Sequence, residues 1–420
     1  MKKALWLVVA CFAGASGLAG CVSDMDEGGE VAAPQEDLDT PEGELGIAPI
    51  KAGDVLEYLA ETPHPYTSGW RHQISSPGAT FVRVHLSGLD LAPGDYVTVS
   101  SPDGSQSHRY EGQGPNGDGD VWAFAIDGDA AVVELHAAAG GAHGFTIDTI
   151  GHGTLSLSEL DGKGTGPSAK SQQPNEEVIC GTDGRDDAAC HPALDALQKP
   201  IARLLFSKSG SQYLCTGWLV AGSNQNSMLT NAHCFTTQTE VNSVEARFNY
   251  QRSSCGGSTN ATTTSYTGGT LLKFSSDARK GKSGGLDYTL FTVQGDAEAT
   301  WGEIIPTTKA APVGTEILFI QHPGGRPKQI GYWEDDAQTI RCQLNAVDQS
   351  YGSATPGTQS GYGCDSEGGS SGSPILEAAT GRAIALHHYG NVSTSTCLNG
   401  GTEMSAVCAD AGSLLSCVSN

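Results

Sequence analysis

The stretch Gly368-Gly369-Ser370-Ser371-Gly372-Ser373-Pro374 decides the interpretation of this chain, because it sets a serine among glycines just before a proline. Glycine permits a tight turn that aims the N–H groups of Gly369 and Ser371 at one point. A serine hydroxyl becomes a nucleophile only with a base beside it and donors for the oxyanion that forms. Gly/Ser-rich runs are also typical of linkers, so Ser371 needs partners elsewhere in the sequence.

A histidine at the end of an apolar segment is the candidate base. The segment Ser227-Met228-Leu229-Thr230-Asn231-Ala232-His233-Cys234 ends in His233 followed at once by cysteine. A lone histidine is more often structural. Here a second cysteine, Cys215, precedes it in another apolar segment, and a Cys215–Cys234 disulfide would tie the histidine loop to the adjacent strand.

An aspartate completes the set. Asp287 heads the apolar segment Tyr288-Thr289-Leu290-Phe291-Thr292-Val293, so its carboxylate is expected to be buried. A buried carboxylate needs a partner, and the imidazole N–H of His233 is the expected one. The order of His233, Asp287 and Ser371 along the chain disfavours an esterase of the α/β-hydrolase type, in which the nucleophile comes first.

These motifs resemble the chymotrypsin and trypsin superfamily and, within it, the bacterial lysyl endopeptidases. The resemblance covers residues from about 177 to 420. It also rests on the segments Ser207–Gly210, Phe248–Cys255, Ile320–Pro323 and Leu386–His388. It implies two antiparallel β-barrels with the candidate triad in the cleft between them, and a serine endopeptidase with Gly369 and Ser371 as the oxyanion hole. The competing hypothesis is a non-catalytic binding protein on the same scaffold, which intact motifs around all three triad residues disfavour.

The residue preferred before the scissile bond is left open by conflicting signals. Asp365, six residues before Ser371, and Glu403 are acids that would favour Lys or Arg. The Asp365-Ser366 step also resembles glutamyl endopeptidases, in which a histidine helps to bind the substrate carboxylate, and His387 or His388 would then serve. We favour cleavage after Lys or Arg, with cleavage after Glu as the alternative.

The cysteines indicate an oxidising compartment. Ten of the twelve lie from Cys180 onward, an even number that predicts five disulfides and no metal site or cofactor. The resemblance to lysyl endopeptidases implies three pairs, namely Cys180–Cys397, Cys190–Cys255 and Cys215–Cys234. The four cysteines left after that assignment are expected to pair as Cys342–Cys364 and Cys408–Cys417.

The first residues predict export. Residues 1–21 combine a basic start, an apolar run and the lipobox-like Leu18-Ala19-Gly20-Cys21, so Cys21 is expected to be lipidated and to hold the protein on the bacterial cell envelope. Any membrane contact would be through this lipid alone. Residues 22–50 hold many acids and no arginine, which predicts a solvated tether.

Between tether and protease, residues 51–152 contain strand-like segments at residues 80–86, 95–99, 121–126 and 131–136. Turn signals separate these segments, which predicts a small antiparallel β-sandwich. Residues 153–176 form the expected linker, where cleavage would convert an inactive precursor and release the protease domain, residues 177–420. Two helices are expected, over Ala409–Leu415 and His191–Gln198. The predicted fold class is therefore all-β.

The net charge of −24 excludes the usual electrostatics of nucleic-acid binding. The charge is −17 over residues 1–176 and −7 over residues 177–420. We expect protein or peptide substrates, no nucleic-acid partner and a monomer.

Overall fold

The computed structural model describes residues 49–138, 140–155, 178–276, 285–335, 337–351, 354–390 and 397–419. The predicted signal segment with Cys21, nearly all of the acidic tether and most of the linker lie outside these ranges. Within them, no helix is long and apolar enough to cross a membrane.

Strands dominate the described residues, as predicted. They are β1 (Ile50–Glu61), β2 (Arg71–Ser75), β3 (Phe81–Ser87), β4 (Tyr96–Ser100), β5 (Ser107–Glu111), β6 (Val121–Trp122), β7 (Ile126–Asp127), β8 (Ala130–His136), β9 (Thr146–Gly153), β10 (Arg185–Asp187), β11 (Ile201–Lys208), β12 (Ser211–Leu219), β13 (Ser227–Thr230), β14 (Glu245–Phe248), β15 (Thr264–Ser275), β16 (Tyr288–Val293), β17 (Ile317–Gln321), β18 (Gln329–Gly331), β19 (Leu344–Gln349), β20 (Gln359–Tyr362), β21 (Pro374–Glu377), β22 (Ala383–Tyr389) and β23 (Asn399–Glu403).

Helices are short. They are α1 (Asp195–Gln198), α2 (Gln238–Asn242), α3 (Ala297–Trp301) and α4 (Met404–Ala411), with 3-10 turns at Ala188–Cys190, Pro192–Leu194, Pro323–Gly325 and Gly412–Leu414. The last α-helix begins five residues before the predicted position. Its buried side chains, Met404, Val407, Cys408 and Ala411, follow the spacing of one helix face. The predicted helix started at Ala409 and therefore left out the first three of these buried side chains.

The amino-terminal part is a β-sandwich, as predicted. One face is formed by β1, β9 and β3 with the short β6 and β7, and the other by β2, β8, β4 and β5. Alternating side chains of both sheets meet in one core, where Val84, Val97 and Val133 are fully buried. The expected strand from Val121 to Ile126 is interrupted, because Ala125 leaves the sheet and donates its amide to Glu245 of the protease region.

The first barrel is closed. Its strands follow the order β11, β14, β15, β16, β13 and β12, and β12 pairs back onto β11. Its interior contains fully buried aromatic rings, with Phe235 packed edge to face against both Phe206 and Phe291.

The second sheet has eight strands in the order β10, β18, β17, β21, β22, β23, β20 and β19, and curves into a half-barrel. A shared core joins it to the first barrel, with Trp218 and Tyr288 from the first barrel meeting Leu386 and Met404 from the second half. The two bodies form the predicted chymotrypsin-like double barrel, and their junction is where the candidate triad lies.

The sandwich and the first barrel share a continuous sheet, which the sequence did not predict. β1 pairs with β9 on one side and with β12 of the barrel on the other. Ala52 and Phe81 of the sandwich pack against Leu205 and Leu214 of the barrel. Beside this contact, Arg83 donates hydrogen bonds to Gln212 Oε1 and to the Ser243 carbonyl.

The interface also contains a buried carboxylate. Glu245 accepts hydrogen bonds from Arg247 and from the Ala125 amide. Burial alone would raise the pKa of Glu245, but the guanidinium groups of Arg247 and Arg83 lower it to about 2. Because the charge is paired from both sides of the interface, the sandwich is held by ionic as well as apolar contacts.

Five disulfides cross-link the protease region, and they are the five expected pairs. They are Cys180–Cys397, Cys190–Cys255, Cys215–Cys234, Cys342–Cys364 and Cys408–Cys417.

Candidate active site

The candidate base is fixed by its neighbour in sequence and by an aspartate. His233 follows β13, and the Cys215–Cys234 disulfide ties the next residue to β12. Asp287 contacts His233 through both carboxylate oxygens: Oδ2 lies 2.8 Å from His233 Nδ1, and Oδ1 accepts a hydrogen bond from the His233 backbone N–H at 2.9 Å. This leaves Nε2 as the nitrogen that makes no hydrogen bond among the described residues.

The aspartate is itself held in place. Asp287 has a positive φ of 49°, and its carbonyl accepts a hydrogen bond from the Asn231 side chain at 2.8 Å. His388 Nδ1 also lies 3.2 Å from Asp287 Oδ2. Burial would raise the pKa of Asp287, but the two histidines hold that pKa well below its usual range. The carboxylate is therefore ionised whenever the protein is folded near neutral pH.

The candidate nucleophile is held by Thr216 of β12, the residue that follows the cysteine beside the base. The Thr216 amide donates a hydrogen bond to the Ser371 carbonyl at 2.9 Å, while the preceding Cys215 is cross-linked beside His233. Gly372 fits closely here, since a Cβ at that position would lie 2.2 Å from the Thr216 carbonyl oxygen. The structure thus brings Ser371, His233 and Asp287 to one place in the junction between the barrels.

The amides proposed for the oxyanion hole are oriented by hydrogen bonds to the preceding carbonyls. The Gly324 amide donates to the Gly368 carbonyl at 2.7 Å, and the Ser373 amide and hydroxyl both donate to the Ser370 carbonyl. In a trans peptide the N–H points away from the C=O, so the N–H groups of Gly369 and Ser371 face away from these donors. Gly369 has a φ of 97°, a conformation that only glycine adopts easily.

A chain of hydrogen bonds between uncharged groups supports the nucleophile loop, and no sequence motif predicted it. The Ser370 hydroxyl donates to Gln321 Oε1 at 2.5 Å, and the Gln321 amide donates to the Asp365 carbonyl at 2.8 Å. Gln321 had been noted only as part of a resembling segment. The available signal was that Ser370, next to the nucleophile, is an uncharged residue that needs an uncharged partner.

Asp365 is not placed as the substrate-binding acid that the sequence suggested. Its carboxylate accepts the backbone amides of Cys180 and Gly184 at 2.7 and 2.6 Å, which ties the start of the protease region to the nucleophile loop. Burial nevertheless raises the pKa of Asp365 to about 6. Both oxygens are already used, so this carboxylate holds the segment rather than a substrate cation.

Glu403 also differs from its expected role. Its Oε1 accepts hydrogen bonds from the Asp348 amide and the Ser360 hydroxyl. Successive strand residues point to opposite faces, and the neighbouring Thr402 is the one that approaches His388. Glu403 therefore lies on the face of β23 turned away from His388.

The side chains of the two adjacent histidines of β22 also point to opposite faces of their strand. His388 faces the triad, with Nδ1 near Asp287 and Nε2 2.6 Å from Gln359 Oε1, and burial lowers its pKa despite the nearby carboxylate. His387 faces the core of the second sheet, where Nδ1 lies 2.7 Å from the Tyr362 hydroxyl. The His388 side chain thus lies beside Asp287, whereas the His387 side chain contacts Tyr362.

Among the described residues, Cys215, His233 and Cys234 are close enough together to consider a metal ion. Both sulfurs are joined to each other in a disulfide, so neither is available as a thiolate ligand.

Comparisons with known proteins agree with this geometry. A family model described as the lysyl endopeptidase C-terminal domain matches residues 169–403, more than half of the chain. Secreted RxLR effector protein 73 of Plasmopara viticola is 28% identical over 346 residues, which cover 76% of this chain and 76% of that protein.

Two solved structures are also similar. A Glu endopeptidase in complex with MPD is 20% identical and covers 56% of this chain and 96% of that chain, with a TM-score of 0.37. The active form of the Rv3671c protease from M. tuberculosis is 12% identical and covers 61% of this chain and 93% of that chain, with a TM-score of 0.39. Because the family match extends over more than half of its length, the chain belongs to the lysyl endopeptidase family.

Proposed function

We propose that the protein is a serine endopeptidase that cleaves peptide bonds through an acyl-enzyme intermediate formed on Ser371. The observation that carries the proposal is that both carboxylate oxygens of Asp287 contact His233, one at Nδ1 and one at the backbone N–H. These contacts leave Nε2 without a hydrogen bond among the described residues. The contact of Asp287 with Nδ1 orients the ring so that Nε2 is the nitrogen available to accept a proton.

Each residue has a defined part in the proposed reaction. His233 Nε2 takes the proton of the Ser371 hydroxyl as its oxygen attacks the scissile carbonyl, and later gives that proton to the leaving amine. Asp287 holds the imidazole in the tautomer with its proton on Nδ1 and stabilises the imidazolium. The amides of Gly369 and Ser371 bind the oxyanion. Water then attacks the acyl-enzyme by the same proton transfers in reverse.

We propose cleavage after Lys or Arg, with family membership as the support. The alternative, cleavage after Glu, is weakened because His387 Nδ1 contacts the Tyr362 hydroxyl and the two ring nitrogens of His388 contact Asp287 and Gln359. Matched peptides that differ only in Lys, Arg, Glu or Ala before the scissile bond test the choice. Faster hydrolysis after Lys or Arg is expected, and faster hydrolysis after Glu would contradict it.

The test of the mechanism is Ser371→Ala. Removing the nucleophile is expected to lower kcat by about 10⁴-fold or more while the protein stays folded, because the nucleophile and the base act as a unit. Labelling of the wild-type protein, but not the variant, by a serine-reactive fluorophosphonate provides the matched control. Hydrolysis by the variant at a rate near that of the wild type would reject the assignment.

We also propose that the protein is exported, lipidated at Cys21 and trimmed between the sandwich and the protease region. The support is the lipobox-like segment, the five disulfides and the acidic tether. Intact mass and amino-terminal analysis of the protein recovered from its producing cell test all three points together.

A further inference from the structure

One edge of β12 leads from the amino-terminal sandwich to the nucleophile. The other edge of this strand is fully paired with β11. On the edge in question, Ser211–Leu214 pair with β1, the Thr216 amide binds the Ser371 carbonyl, and Trp218 and Leu219 pair with β13. Three partners therefore share one strand edge in sequence order.

The start of β1 lies beside the candidate oxyanion hole. Ile50 pairs with Leu214, which is two positions, or about 7 Å of strand, from Thr216. A Cβ built on Gly369 would lie 3.3 Å from Ile50 Cγ2, and one built on Gly368 would lie 3.7 Å from Ile50 Cβ. The sandwich thus touches the nucleophile loop through a single side chain.

The direction of β1 indicates which part of a substrate it resembles. β1 is antiparallel to β12, so its chain runs from Ile50 at the nucleophile to Asp54 farther away. Extended peptides commonly bind by adding a strand to a sheet edge. A substrate that pairs here in the same direction would place the residues after its scissile bond along Ser211–Leu214.

We propose that β1 is an autoinhibitory strand in the full chain: it occupies Ser211–Leu214, the edge of β12 along which substrate residues after the scissile bond would otherwise pair. The inference rests on the proposed protease function and adds a mode of autoinhibition to it. β1 covers only the leaving-group side. Short substrates that end at the scissile bond are therefore accepted, whereas substrates that extend beyond it must displace a strand.

Displacing β1 is costly because it also pairs with β9 from Gly53 onward and one of its faces is buried. β9 pairs with its second edge, and Ala52 is fully buried against Leu205 and Leu214. If the edge is open for only a small fraction of the time, the apparent affinity for an extended substrate falls by that fraction. Inhibition should therefore weaken in proportion to any loss of β1 pairing.

The experiment uses the full chain and two kinds of lysine substrate. One is an N-protected lysine p-nitroanilide, and the other is a fluorogenic peptide that continues for four residues beyond the lysine. Ile50→Asp and Ala52→Asp, two independent ways to loosen β1, are expected to raise kcat/KM for the extended peptide by about tenfold. Ala52→Asp, which does not lie beside the oxyanion hole, should leave the p-nitroanilide value unchanged. Leu59→Asp, on an exposed part of β1 beyond β12, is the matched control.

A second measurement separates this inference from the proposed function. In the Ser371→Ala background, a fluorescent peptide with four residues on each side of a lysine should bind about tenfold more tightly when Ile50→Asp is added. Tighter binding without any hydrolysis by the nucleophile-intact chain would reject the protease assignment and keep the binding edge. Equal peptide binding with and without Ile50→Asp, or equal gains on both substrates, would overturn the inference.

Discussion

Two histidine–aspartate assemblies among the described residues have opposite composition. In the sandwich, one histidine lies between two carboxylates: His85 Nδ1 is 2.6 Å from Asp148 Oδ1, and Nε2 is 2.5 Å from Asp120 Oδ1. In the protease region, one carboxylate, Asp287, lies between His233 and His388. The first assembly uses both ring nitrogens, whereas the second leaves His233 Nε2 without a hydrogen bond among the described residues.

The difference shows what makes a histidine–aspartate pair suitable for catalysis. Burial lowers the tendency of His85 to be charged, but hydrogen bonds to the two carboxylates outweigh it and raise the pKa of His85. Both ring nitrogens of His85 are hydrogen-bonded to carboxylates, so neither is left to accept a proton from a nucleophile. A general base needs one nitrogen that is oriented and one that is left for the nucleophile.

The largest expected effect comes from exchanging the two histidines for alanine. His233→Ala should lower kcat by about 10⁴-fold or more, since no other group can take the Ser371 proton. His85→Ala should leave hydrolysis of a small anilide unchanged. Initial rates on one substrate, with circular dichroism as the check on folding, compare the two variants directly. Comparable losses in both would mean that the distinction between the assemblies is wrong.

His388→Ala should have an intermediate effect. Loss of one hydrogen-bond partner of the charged Asp287 carboxylate is expected to lower kcat about tenfold with little change in KM. His388→Asn, which keeps a donor, should recover most of the rate. Equal rates in His388→Asn and His388→Ala would assign His388 to packing alone.

The smallest effect concerns the stability of the sandwich. Because its pKa is raised on folding, His85 contributes stability that is fully present below about pH 6.5 and is lost as the pH rises through its folded pKa. Its hydrogen bond lowers the pKa of Asp120, so that contribution is lost again below about pH 4.

His85→Gln should therefore cost about 1 kcal/mol near pH 5.5 and much less near pH 9. Urea unfolding followed by tryptophan fluorescence at both pH values measures the loss, and Trp122 packs directly on the His85 ring. A loss that is the same at both pH values would show that His85 contributes by packing rather than by charge.

Short motifs predicted the double barrel and identified the three candidate triad residues, because each motif combines a reactive residue with a local turn or cross-link. Ser371 stands between glycines, and His233 adjoins a cysteine. The specificity acids were a different matter. Asp365 was placed by counting back from Ser371, and a count cannot tell that the Cys180 and Gly184 amides, nearly two hundred residues away, use its oxygens.

The packing of the sandwich against the first barrel could not be predicted from the sequence either. Alternation along residues 80–86 and 131–136 predicted strands of a sandwich, and those strands are present. Pairing of β1 with β12 depends on backbone hydrogen bonds, which leave no pattern of side chains to recognise. The buried Arg83 and Glu245 could have given a hint, since charged residues inside apolar strands need partners from elsewhere.

The shared edge of β12 limits how this family member can change in evolution. Leu214 faces Ile50, Cys215 is cross-linked beside His233, and Thr216 holds Ser371, in three consecutive positions. A single inserted or deleted residue there would turn every following side chain to the opposite face of the strand. In this part of β12, side-chain replacements are compatible with both the pairing to β1 and the hydrogen bond to Ser371, whereas insertions and deletions are not.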